Sequence, residues 1–238
     1  MKLVLVSTLA AVAAIGLAGC VPLGSPGSLQ SGAFAYVCAP GVTDLGCSPT
    51  LIDESDVPGA IAVGTHFDIQ YNVAFASDVV IDALKPAAPS LLATEPASQA
   101  GAFGFRFSSA GTVAVLATTF DGQVADFLHV TAAPLDHLAI TDFSGSPVTS
   151  VAVPSGGATI SAEPFSASQS PLAGGMVYTW ATSDATVVTV QPAEDLDGES
   201  AGGNQVTLVP GQAGTATVTA SALGKQATVA VTVSGGAP

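Results

Sequence analysis

A chain of 238 residues with only 4 Lys and Arg against 18 Asp and Glu carries a net charge of −14. Nucleic-acid binding needs clustered cations that neutralise phosphates, so this balance excludes DNA and RNA as partners and opposes electrostatic docking on anionic lipid. Hydrophobic residues make up 48% of the chain, but they are mostly Ala and Val interleaved with Thr, Ser and Gly, an alternation that marks half-buried strands of an all-β protein rather than membrane spans.

In chain order, Lys2 is followed by an uncharged, largely apolar run from Leu3 to Ala18. The run is shorter than the roughly 20 residues of a spanning helix and reads as an export signal. Leu17-Ala18-Gly19-Cys20 resembles the lipobox of bacterial lipoproteins. That resemblance implies a signal peptide of residues 1–19, diacylglycerol on the Cys20 thiol, and acylation of the new amino group. Two or three acyl chains hold a protein on a bilayer where one does so only marginally. The alternative is an ordinary signal peptide with Cys20 left as a free thiol. Cleavage leaves Lys85, Arg106 and Lys225 against 18 acids, a net charge near −15. Val21 and Pro22 lack the Asp that keeps enteric lipoproteins on the inner membrane, so the resemblance implies an outer-membrane address.

The Pro/Gly/Ser-rich stretch Val21–Gly32 is expected to be a tether within a lipidated segment 20–33, reaching about 20 Å as a flexible coil. Cys38 and Cys47 follow, and in an oxidising compartment they are expected to pair with each other. Two thiols without a nearby His or second Cys pair fall short of zinc's four ligands.

Two later segments repeat at a spacing of 103 residues: Gly111-Thr112-Val113-Ala114-Val115-Leu116-Ala117 matches Gly214-Thr215-Ala216-Thr217-Val218-Thr219-Ala220. Each reads as the first strand of a closing β-hairpin. The first turns at Asp121-Gly122 and the second at Ala222-Leu223-Gly224-Lys225. In the second hairpin Ala216, Val218, Ala220, Val229, Val231 and Val233 are expected to face inward and the threonines outward. Asp126 falls on the inward phase of its strand, which calls for a bulge or an exposed strand end. Units of about 100 residues built from short strands predict two tandem immunoglobulin-like β-sandwiches, residues 34–133 and 134–235. Tyr178-Thr179-Trp180-Ala181-Thr182-Ser183-Asp184-Ala185-Thr186-Val187-Val188-Thr189-Val190 and Pro210-Gly211-Gln212-Ala213-Gly214-Thr215-Ala216-Thr217-Val218-Thr219-Ala220 resemble bacterial Ig-like domains of group 2 (BIG2). This implies a rigid spacer or adhesive module without enzymatic activity. The loop from Pro192 to Gln205 is longer than that family's turn.

Candidate chemistry is sparse. His66, His129 and His137 are the only histidines, with no metal-ligand spacing around them and no G-x-S-x-G elbow in the chain, and they read as edge or interface residues. Glu194, Asp195, Asp197 and Glu199 form the densest acidic run. It has the oxygen chemistry for calcium but not EF-hand spacing, and it reads first as a solvated loop, with calcium as the alternative. Asp53-Glu54-Ser55-Asp56 is a weaker version of the same. Trp180 reads as core between sheets, and Phe103, Phe105 and Phe107 as an inward strand face. The expectation is a membrane-anchored surface lipoprotein, not an enzyme. It would use no cofactor beyond the lipid and bind an unknown protein or glycan, with a glycan- or calcium-binding module as the alternative.

Overall fold

A computed structural model describes residues 24–38, 44–47, 54–74, 79–193 and 203–234. The described residues form strands and turns without a helix, in two β-sandwiches.

The first sandwich pairs a six-stranded sheet with a four-stranded one. In the six-stranded sheet, β1 (Ser25–Pro26), β2 (Gly32–Val37), β5 (His66–Val73), β8 (Phe103–Phe107) and β7 (Leu92–Glu95) lie in that spatial order, and β3 (Glu54–Asp56) also pairs with β2. The four-stranded sheet runs β4 (Ile61–Ala62), β10 (Val124–Ala133), β9 (Gly111–Thr119), β6 (Ile81–Pro86). Its core is aromatic: Phe34, Tyr36, Phe67, Phe105 and Phe107 are buried, with Phe67 ring centroids 5.8 Å from Phe105 and 5.9 Å from Phe107. Phe103 packs at the margin. Burying a ring of this size stabilises by about 1.5–3 kcal/mol, which is why Phe-Gly-Phe-Arg-Phe forms a strand despite its glycine.

The second sandwich stacks β11 (His137–Asp142), β13 (Ala158–Phe165), β16 (Gln205–Pro210) and β15 (Val188–Pro192) against β12 (Ser150–Val153), β18 (Lys225–Val233), β17 (Gly214–Ala222) and β14 (Thr179–Thr182). β12 runs parallel to β18 while β11 pairs with β13, so the first edge of the domain switches sheets, as in immunoglobulin-like sandwiches. The core here is aliphatic. Ala216, Val218, Ala220, Val229, Val231 and Val233 are buried as their alternation predicts, and the intervening threonines face outward or are half-buried. The turn is the two-residue Leu223-Gly224, both at positive φ (47° and 76°), inside the Ala222–Lys225 pair.

The repeated hairpins differ at their tips. In the first, Thr119 donates its amide to the Gln123 carbonyl (3.0 Å) around the three residues Phe120-Asp121-Gly122, and a bulge interrupts β10 between Val124 and Asp126. The bulge does not turn the acid outward; hydrogen bonds accommodate it inside. Asp126 is fully buried, and its carboxylate accepts hydrogen bonds from the backbone amides of Leu29 (2.8 Å), Ser31 (2.9 Å) and Phe127 (2.8 Å) and from the Tyr71 hydroxyl (3.2 Å).

The same contacts change the reading of the tether. Ser25 and Pro26 pair with Phe34 and Ala33, and Ser28 donates its amide to the Phe127 carbonyl (2.9 Å). Residues 24–33 therefore belong to the packed first sandwich instead of a flexible coil. The sequence there could not show it, because the acceptor lies 95 and 97 residues downstream. Trp180 also departs from expectation. It is half-buried at the rim of the second core, and its indole N–H donates to the Gly203 carbonyl (2.7 Å).

Candidate functional site

The most elaborate polar arrangement lies where the two sandwiches meet. The backbone of Leu172–Gly175, in the loop after β13, lies along the first sandwich. Ala62 donates its amide to Ala173 (2.8 Å), Ala173 to Ala60 (3.0 Å), and Gly175 to His66 (2.8 Å). Gly174 donates its amide to the Asp44 carboxylate (2.8 Å), whose other oxygen accepts the Tyr36 hydroxyl at 2.5 Å. Asp44 also takes the Gly46 amide (2.8 Å). Burial pushes the Asp44 carboxyl above its usual range, and burial followed by the nearby Asp44 charge pushes the Tyr36 hydroxyl well up. The cores interlock as well, since Ala173 packs into the first and Ala62 into the second. Gly174 has φ +108°, and a methyl group on it would land on the Thr65 hydroxyl and side chain.

Beside this ladder, His66 on β5 stands opposite Arg106 on β8. Its Nδ1 meets Glu95 at 2.9 Å and its Nε2 meets the buried Asp68 at 2.9 Å. The other Glu95 oxygen accepts from Arg106 Nε at 2.6 Å, and Arg106 also donates to the Gly64 carbonyl at 2.6 Å. The remaining Asp68 oxygen takes both the amide (2.9 Å) and the hydroxyl of Ser98. The Arg106 hydrogen bond, then that from His66, hold the Glu95 carboxyl below its usual range. Both ring nitrogens of His66 are engaged by carboxylates, and the Ser98 hydroxyl points to Asp68 and not to the ring. The cluster thus lacks the free imidazole nitrogen beside a hydroxyl that a nucleophile–base pair requires. It ties three strands and the loop through Ser98 together at the junction. A cavity of about 440 Å³ opens beside it, lined by His66, Arg106 and Asp44 from the first sandwich and Gly175, Val177 and Leu223 from the second.

The expected site residues fall as follows. Cys38 and Cys47 form the disulfide, with Cα atoms 5.6 Å apart. Cys20 and the acidic run Glu194, Asp195, Asp197 and Glu199 lie outside the described residues. Among the described residues no group of three or more His, Cys, Asp or Glu side chains is placed to hold a metal ion. Glu54–Asp56 forms β3 on the edge of β2. His129 packs edge-on against Phe127, and His137 stacks on Phe165 while bonding its neighbour Asp136. Sequence reading missed the His66 cluster. The i, i+2 spacing of His66 and Asp68 was its only local signal, because Glu95, Ser98 and Arg106 arrive from other elements.

No protein-family model matches the sequence, and no curated protein does. Solved structures similar to it include domains 4 and 5 of the S-layer protein SbsC, at 17% identity over 70% of this chain and 83% of that one, with a TM-score of 0.34. A longer SbsC structure is 19% identical over 72% of this chain and 23% of that one, TM-score 0.35. The Escherichia coli adhesin FdeC is 19% identical over 76% of this chain and 62% of that one, TM-score 0.36. The chain thus spans less than two thirds of FdeC and of the longer SbsC structure.

Proposed function

We propose that this chain is a lipid-anchored surface protein whose two Ig-like sandwiches act as a stiff spacer or adhesive, protein-binding module, without enzymatic activity or a resident cofactor. The observation that carries the reading is the junction. Three main-chain hydrogen bonds, the Asp44–Gly174 bond and the interlocked cores join the sandwiches directly, where a flexible linker would leave them independent. A stiff pair of domains suits display or spacing away from a surface. The lipobox at Cys20 supplies the hold, and the acidic surface leaves covalent lipid as the means of attachment. The outer membrane is the address that Val21 and Pro22 favour.

Intact mass and membrane fractionation of the expressed protein, beside a Cys20→Ala variant, test this. The wild type is expected to lose 19 residues, gain the mass of the lipid and sediment with membranes, while the variant does none of these. A soluble, unmodified wild type would overturn the anchor.

A further inference from the structure

One end of the first sandwich gathers apolar side chains that nothing in the fold requires there. Of the eight large hydrophobic residues exposed among the described residues, four lie at this end: Leu29 (55% exposed), Val80 (63%), Phe120 (77%) and Val124 (44%). Strand pairing sets them in a row. Thr118 stands opposite Val124 and Ile81 opposite Thr119, so Val80 and Phe120 continue the ends of β6 and β9, and Val124 begins β10. Leu29 lies beyond β10, in the turn that Asp126 and the Phe127 carbonyl hold. Four adjacent chain segments at about 4.8 Å spacing make an apolar edge about 15 Å long. The second sandwich packs against the opposite end of the first, near the start of β5 and the end of β10.

The proposed anchor is joined to the described chain a short span from this edge. Gly24 stands four positions after Cys20, a reach of at most about 14 Å. Gly24 lies beside Ala35, since Ser25 pairs with Phe34, and so stands about 10 Å along β2 from Gly32 at the apolar end. From Ala35 onward the edge of β2 is occupied by β3, so the sheet edge is closed to a continuation of β1 toward the second sandwich. A lipid on Cys20 therefore comes within reach of the apolar end.

Resting on the lipid anchor proposed above, we propose that this end, with Phe120 at its tip, is a membrane-contacting edge that dips into the headgroup region beside the lipidated amino terminus and stands the two sandwiches away from the bilayer. Asp121 follows Phe120 in the turn, and the Thr119 hydroxyl, with backbone hydrogen bonds, holds its carboxyl below the usual range. That negative charge limits penetration to the interface and favours zwitterionic over anionic headgroups.

The test uses the lipidated full chain in phosphatidylcholine vesicles, with and without lipid brominated on its acyl chains. Three tryptophan probes are built in a Trp180→Phe background: F120W at the proposed edge, L223W at the domain junction and F143W in the turn after β11. Intact mass first establishes that each carries lipid. The F120W emission is expected to shift to the blue on vesicles and to lose about half its intensity to brominated lipid, as a ring about 5–10 Å into the interface would. L223W and F143W keep theirs, and anionic lipid added to the vesicles does not strengthen the F120W signal. Lipidated protein with unquenched F120W, or with L223W quenched instead, overturns the proposed edge and leaves the anchor standing. A blue-shifted F120W that ignores brominated lipid, together with a dimer in sedimentation, means that a second copy covers the edge and also overturns it. Absence of lipid in the mass spectrum removes the anchor, and the proposal with it.

Discussion

Replacing Asp126 with Ala should release the amino-terminal turn from the first sandwich. The carboxylate is fully buried and accepts four hydrogen bonds, from Leu29, Ser31, Phe127 and Tyr71. Bonds to a charged group are worth about 1.5–3 kcal/mol each at a buried site, but Leu29 is exposed enough for its amide to recover water. Removing the carboxylate also relieves the cost of burying a charge, so the net loss should be about 2–4 kcal/mol. At roughly 4–8 °C per kcal/mol for a domain near 100 residues, the melting midpoint of the first sandwich should fall by about 8–30 °C. Asp126→Asn keeps one acceptor oxygen and should lose about half as much. Calorimetry gives the midpoint, and hydrogen exchange shows whether the Leu29 and Ser31 amides lose protection. A midpoint within 2 °C of the wild type, with both amides still protected, would refute the claim that Asp126 fixes this segment.

Three further outcomes follow from other contacts. Replacing Cys38 and Cys47 together by Ser opens a short loop and should cost about 2.7 kcal/mol in the chain-entropy model, read as a lower urea midpoint that matches the reduced wild type. Gly174→Ala forces a side chain into φ +108° and onto Thr65, whose hydroxyl is already bonded to the Ala62 carbonyl (2.7 Å). A backbone strain of about 1–3 kcal/mol should loosen the junction, giving two separate melting transitions and a larger maximum dimension in X-ray scattering. Glu95, held low chiefly by Arg106, contributes stability above its unfolded value of about 4.3 and loses it as the pH falls through the lower folded value. The stability gap between wild type and Glu95→Gln should therefore close as the pH falls below about 4, and a gap that persists in strong acid would contradict the sign.

Features that depend on neighbours along the chain were legible in the amino-acid order. Alternation of Ala and Val with Thr set the inward faces of β17 and β18, Gly224 marked the turn between them, and Phe105 and Phe107 declared their core face through period-two spacing. The two cysteines could be paired because no other partner was near. Features that depend on distant segments meeting emerged with the packed fold. Asp126 looked like a defect in its strand until the fold brought the amides of Leu29 and Ser31 to it. The same contact turned residues 24–33 from a tether into part of the first sandwich. His66 looked isolated because its partners Glu95 and Arg106 come from two other strands, and the loop around Gly174 gave no sign that it would lie along Ile61 and His66 of the other sandwich. A local pattern records which side of a strand faces the core. Which buried acid receives which amide depends on packing between sheets, and that information is spread over residues about 100 positions apart.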